Sequence, residues 1–134
     1  MPKEYVNPQT LFPSLPHGFS QVVVASGRKM AFISGQTAWD SGKNIVGGDS
    51  LLEQARQALR NVEAAIKAAG GTLEDVVSLR IYIVNYRAGS AGAVGSALRE
   101  FFCHENLPAS TWIGVSALAV PEFLIEIEAT AVLD

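Results

Sequence analysis

Glu126 and Glu128 lie two residues apart in the run Leu124-Ile125-Glu126-Ile127-Glu128-Ala129. On an extended strand this spacing puts both carboxylates on one face, about 6.7 Å apart along the backbone. At that separation paired carboxylates can divide acid and base work. The same alternation of Glu with Ile equally suits an ordinary antiparallel strand with a solvated face. Ser34-Gly35-Gln36 offers a complementary feature. A glycine at a strand end lets a ligand approach the backbone, where an exposed N–H can bind a carboxylate or an oxyanion; a plain strand-to-loop turn has the same composition. Ser110-Thr111 supplies two hydroxyls at the start of a strand, with Trp112 on the face of Ser110. A hydroxyl with no base beside it is not an activated nucleophile, so hydrogen bonding to a ligand or a neighbour is its expected role. Trp39 and Phe19 are candidate walls of an apolar pocket, with ordinary packing as the competing role.

Other combinations fail on geometry. Cys103 and His104 are consecutive, and consecutive helical residues point about 100° apart, which excludes a nucleophile and base pair. Gly89, Gly92 and Gly95 recur every third residue and do not form the dinucleotide pattern. Gly42-Lys43 resembles the end of a phosphate loop, but Thr37 replaces the first glycine and Asn44 the Ser or Thr. A single cysteine excludes an internal disulfide, and with only two histidines beside it no metal site is expected.

Composition narrows the partners. The chain of 134 residues is 49% apolar and only 17% charged, below the roughly 25% usual for soluble domains, so part of its surface is expected to be covered by another subunit. Ten Lys and Arg against thirteen Asp and Glu form no basic block, which argues against nucleic acid and anionic membranes as partners. With no membrane-length apolar run and no signal-like start, a soluble, cytoplasmic protein is expected.

These candidate residues need elements to hold them. Residues 1–18 contain four of the six prolines and read as an irregular arm with room for a short strand at residues 3–6. Residues 20–25 and 29–34, joined across Ser26-Gly27-Arg28, read as a β-hairpin. A polar loop spans residues 37–48. Leu52, Ala55, Leu59, Val62, Ile66 and Ala69 recur at helical spacing over residues 51–69, with a Ser50/Glu53 capping box before them and Gly70-Gly71 after. Residues 76–84 alternate as a strand, 91–103 form a second helix, and 110–116 and 123–133 form the last strands, joined by a turn around Pro121. The order β-β-α-β-α-β-β predicts a single α+β domain, residues 1–134, with two helices on one face of a mainly antiparallel sheet. Ile125, Ile127 and Ala129 then face the helices, and Leu124, Glu126, Glu128 and Thr130 face away from them.

Ile33-Ser34-Gly35-Gln36, Gln54-Ala55-Arg56-Gln57-Ala58-Leu59-Arg60-Asn61, Phe101-Phe102, Pro108-Ala109 and Ile125-Glu126-Ile127-Glu128-Ala129 together resemble the Rid/YjgF family of imine/enamine deaminases. The resemblance implies a chorismate-mutase-like α+β fold and a homotrimer with ligand clefts between subunits. It also implies hydrolysis of 2-imino or enamino acids to 2-oxo acids and ammonia without metal or organic cofactor. By the same resemblance the Gly35 backbone binds a substrate oxygen and Glu126 positions the attacking water. The chain departs from the family at three cleft positions: Ser110 stands where an arginine clamps the substrate carboxylate, Phe19 where a tyrosine is usual, and Gly95 where an asparagine is usual. A serine offers one neutral hydrogen bond and no charged fork.

The expected function is therefore a Rid-like trimer binding a small metabolite in intersubunit clefts, with imine, enamine or related C–N hydrolysis as candidate activity, distinct from the standard 2-aminoacrylate reaction. Glu126 would orient water, while Ser34, Gly35, Ser110, Thr111, Phe19, Trp39 and Trp112 would bind and shape the ligand. The alternative is a noncatalytic ligand-binding or regulatory trimer. Endoribonuclease activity is disfavoured by the acidic balance.

Overall fold

The computed structural model describes residues 3–134; Met1 and Pro2, the start of the expected arm, lie outside the described residues. The strands are β1 (Glu4–Val6), β2 (Val22–Val24), β3 (Lys29–Gln36), β4 (Val76–Val84), β5 (Ala109–Val115) and β6 (Ile125–Leu133); the helices are α1 (Leu51–Ala68) and α2 (Ser90–Phe101). The main sheet has the order β3-β6-β4-β5. β6 runs antiparallel to both β3 and β4, and β5 is parallel to β4. A parallel neighbour cannot be reached by a tight turn, so α2 serves as the crossover from β4 to β5.

One face of the sheet carries the core. Leu79, Ile81 and Ile83 of β4 and Ile125, Ile127 and Ala129 of β6 are buried against Ala55, Leu59, Val62 and Ile66 of α1 and Val94, Ala97 and Leu98 of α2. The helix starts where its cap chemistry permits. Ser50 Oγ accepts from the Glu53 N–H at 3.2 Å. The reciprocal half of the expected box is missing, because the Glu53 carboxylate pairs with Arg56 and the Ser50 N–H donates to the Gly47 carbonyl. A complete box forms instead at Thr72 and Asp75, just before β4.

The expected hairpin of residues 20–25 with 29–34 does not form. β2 pairs with β1, and β3 pairs with β6. Its connecting segment is held to the far end of β6: the Arg28 N–H donates to the Leu133 carbonyl at 2.9 Å. A Cβ at Gly27 would stand 2.6 Å from that same oxygen. Gly27 is thus needed for close approach to β6, and the alignment serves β3, whose Ile33 is buried in the core, whereas Val22 and Val24 stay exposed.

The other face of the sheet is open. It presents Met30, 60% exposed, and Phe32, 76% exposed, together with Glu126, Glu128, Tyr82, Arg80, Thr111 and Ile113. Among the described residues, no helix is long and apolar enough to cross a membrane.

Candidate functional site

The β3–β6 ladder breaks at the motif singled out in the sequence. Ile33 faces Ala129 and Gln36 faces Ile127, so Ser34 and Gly35 both stand opposite Glu128. Two residues opposite one make a β-bulge, which bends the strand and re-aims its groups. The Glu126 side chain fills the space so created. A Cβ at Gly35 would collide with its carboxylate, with Cγ and Cδ each 2.7 Å away. A larger residue at position 35 would have to push the Glu126 carboxylate aside, because the carboxylate occupies the place of its side chain. Among the described residues Glu126 has no hydrogen-bond or ion-pair partner. Glu128, its neighbour on the same face, accepts from the Tyr82 hydroxyl at 3.0 Å.

Glu126 and Gly35 open into a cleft of about 680 Å³ lined also by Trp39, Asp40, Asn61 and Phe123. Two polar residues on one face of α1, seven positions apart, build it. Gln54, fully buried, donates to the carbonyls of Gly48 at 2.7 Å and Glu122 at 3.0 Å, and accepts from the Leu124 N–H at 2.9 Å. It thereby fixes the chain that carries Phe123 into β6. Asn61 Nδ2 donates to the carbonyls of Thr37 and Trp39, both at 2.8 Å, and so holds the loop that delivers Trp39. The Trp39 ring meets Phe123 edge-on at 4.9 Å. Sequence reasoning gave neither residue a role. The available signal was a pair of amides at helical spacing on a helix face that is otherwise apolar.

The loop of residues 37–48 closes on itself through a Trp39–Ile45 bridge. Asp40 Oδ1 accepts from the backbone N–H of Gly42 and of Asn44, each at 2.9 Å. These bonds, that of Asn44 foremost, hold the exposed Asp40 carboxyl below the ordinary carboxylate range. The Lys43 ammonium lies 5.5 Å from the centroid of the Trp39 ring.

The remaining candidate residues form a different group. Ser110 is in register with Leu79, and Trp112 with Ile81, so both share the helix-bearing side of the sheet, while Thr111 is beside Arg80 on the open face. The Trp112 indole N–H donates to Ser110 Oγ at 2.6 Å. Phe19 packs edge-on against Trp112 at 5.7 Å, and Phe12 against Phe19 at 6.0 Å. Within one chain Ser110 and Glu126 are on opposite faces, two strands and three ladder positions apart, about 14 Å between backbones. Ser34 is exposed at the bulge, its carbonyl accepting from the Gln36 amide at 2.9 Å.

Gly95 lies where the arm meets α2. A Cβ there would stand 2.9 Å from the His17 carbonyl, because the arm docks on α2. Arg99 secures that docking with a bond to the Pro16 carbonyl at 2.8 Å.

The chain and its fold have counterparts in known proteins. The family described as Endoribonuclease L-PSP matches residues 12–133. A RutC family protein of Pyrococcus horikoshii is 35% identical over 114 residues, covering 84% of this chain and 85% of the relative. A 2-iminobutanoate/2-iminopropanoate deaminase of Dermatophagoides farinae is 29% identical over 103 residues, 77% of each chain. The crystal structure of YyfB, a conserved Rid-family protein of Yersinia pestis, superposes with a TM-score of 0.94 at 42% identity, covering 99% of this chain and 100% of that one. The architecture is accordingly the chorismate-mutase-like α+β fold of that group. The chain belongs to the Rid/YjgF family.

Proposed function

We propose that the whole chain is one Rid-like domain that assembles as a cytoplasmic homotrimer and hydrolyses the C=N bond of a small imine or a related C–N substrate in clefts between copies. The balance is R₂C=NH + H₂O → R₂C=O + NH₃. The observation that carries this reading is the partner-free Glu126 carboxylate lying over the bulged Gly35 backbone at the cleft. An uncommitted carboxylate can hold and polarise water, and an exposed backbone N–H can stabilise the developing negative charge. The deaminase relative from Dermatophagoides farinae supports the reaction class.

Assembly is supported by the exposed Phe32, Met30 and Ile113 on the open face, since apolar side chains grouped on one face mark an interaction surface. It also gives Ser110, Trp112 and Phe19 a route to the cleft of a neighbouring copy, which the distance within one chain denies them. Light scattering at micromolar concentration is expected to report three copies; a stable monomer would contradict this assembly.

The standard 2-imino acid reaction is not the expected activity, because the Ser110 hydroxyl carries no charge with which to clamp a carboxylate. The absence of a charged clamp at Ser110 also favours the second reading, a trimer that binds its ligand without turning it over. Ammonia release from imines generated in situ separates the two. Catalysis predicts a rate above the buffer background that falls about 100-fold or more in Glu126→Gln. Equal rates for wild type, Glu126→Gln and buffer would leave the noncatalytic reading.

A further inference from the structure

The charged residues that line the cleft are all acidic. Of the eleven that line it, Glu126 and Asp40 are charged, both negative, and none is Lys, Arg or His. Asp40 is kept ionised by the backbone N–H of Asn44 and Gly42, and Glu126 has no partner to neutralise it. Between apolar walls such charges raise the local concentration of cations and repel anions. Trp39 adds a ring whose face attracts positive charge. The molecule already uses that property, because the Lys43 ammonium, itself outside the lining, rests 5.5 Å from the Trp39 centroid. The Ser110 hydroxyl, which accepts from the Trp112 indole, is neutral and offers no counter-charge for a carboxylate.

We infer that the Glu126 cleft receives a positively charged nitrogen, an iminium or ammonium group on a small apolar body, and discriminates against carboxylate-bearing imino acids. The inference rests on the reading of this cleft as the ligand site and deepens it by naming the substrate class. A cationic imine suits the same hydrolysis, R₂C=NH₂⁺ + H₂O → R₂C=O + NH₄⁺. Water adds to the carbon, the C=N electron pair moves to nitrogen, and ammonia leaves carrying the proton. Protonation makes that carbon more electrophilic, so recognition of the charge and activation of the bond coincide. Glu126 and Asp40 then have complementary tasks: Glu126 orients the attacking water, and Asp40 lines the cleft with Trp39 as a second negative charge.

The test uses three probes of one shape, cyclohexylammonium, cyclohexanol and cyclohexanecarboxylate, titrated calorimetrically into the full-length protein at pH 7. Cyclohexylammonium is expected to bind at least tenfold more tightly than the carboxylate, with the alcohol between them. Its affinity is expected to fall at least fivefold in Asp40→Asn and in Trp39→Leu. Carboxylate binding equal to or tighter than ammonium, no binding of any probe, or ammonium affinity unchanged in both variants would overturn the inference. The order of the three probes on wild-type protein decides the matter even where a variant fails to fold. Failure here is distinguishable from failure of the hydrolase reading. A Glu126-dependent deaminase that prefers carboxylates would sink only this inference, and an ammonium-selective protein that releases no ammonia would sink only the catalytic step.

Discussion

The Glu126 cleft and the Ser110 region are built on one sheet, on strands separated by β4, yet they treat polar groups in opposite ways. At the cleft, hydrogen-bonding capacity is spent around the site and withheld from its centre: Gln54 and Asn61 tie down the surrounding backbone, and Glu126 is left without a partner. In the Ser110 region the polar groups satisfy one another. The indole N–H of Trp112 donates to the serine oxygen, and the rest is aromatic edge-to-face packing through Phe19 and Phe12. The Ser110 hydroxyl retains one neutral O–H donor for a ligand, whereas the Glu126 carboxylate has no protein bond to break and brings a full charge. The contrast identifies the cleft as the candidate for chemistry and the Ser110 region as a candidate wall.

The comparison can be broken most forcefully at Gln54. Gln54→Leu keeps the side-chain volume but leaves the Gly48 and Glu122 carbonyls and the Leu124 N–H without their partner. At about 1–3 kcal/mol per buried unsatisfied group, a loss of about 3 kcal/mol or more is expected in urea melts. A change below about 1 kcal/mol would mean that the scaffold of the cleft does not depend on this amide.

Gly35→Ala acts at the centre of the cleft. The new methyl must displace the Glu126 carboxylate or the bulge, and overpacking of this kind costs about 1–3 kcal/mol. Activity is expected to suffer as much as in Glu126→Gln, while ligand affinity changes less. Full activity in Gly35→Ala would separate the carboxylate from the backbone donor and undo their joint assignment.

The smallest expected effect sharpens the comparison instead. Ser110→Arg exchanges a neutral hydroxyl for a charged fork, and calorimetric affinity for pyruvate is expected to rise about tenfold, or about 1.4 kcal/mol. The two groups are on opposite faces within one chain, so the gain requires a neighbouring copy to bring them together. No gain would show that the Ser110 region is a wall of some other surface.

Much of this arrangement was legible in the residues. The alternation in Ile125-Glu126-Ile127-Glu128-Ala129 assigns the faces of β6, and the structure buries Ile125, Ile127 and Ala129 while leaving both glutamates partly exposed. The spacing of Leu52, Ala55, Leu59, Val62 and Ile66 likewise outlines α1, apart from a residue at its end. Strand partnership was not legible. Val22-Val23-Val24 has the composition of a hairpin arm, but composition carries no information on which edge will accept it. The bulge was equally hidden, since it depends on the register of β6 against β3.

By itself, then, the sequence determined the elements and their faces, because periodicity is a local property of a chain whose backbone has few allowed conformations. It also placed a glycine and a glutamate where chemistry was worth seeking. Only the tertiary structure decided that Gly35 lies beneath the Glu126 carboxylate, that two amides of α1 support their cleft, and that Ser110 faces the other way. Those relations join residues dozens of positions apart, and they are fixed by ladder register and by the need to pair every buried polar group, neither of which is encoded in any single segment.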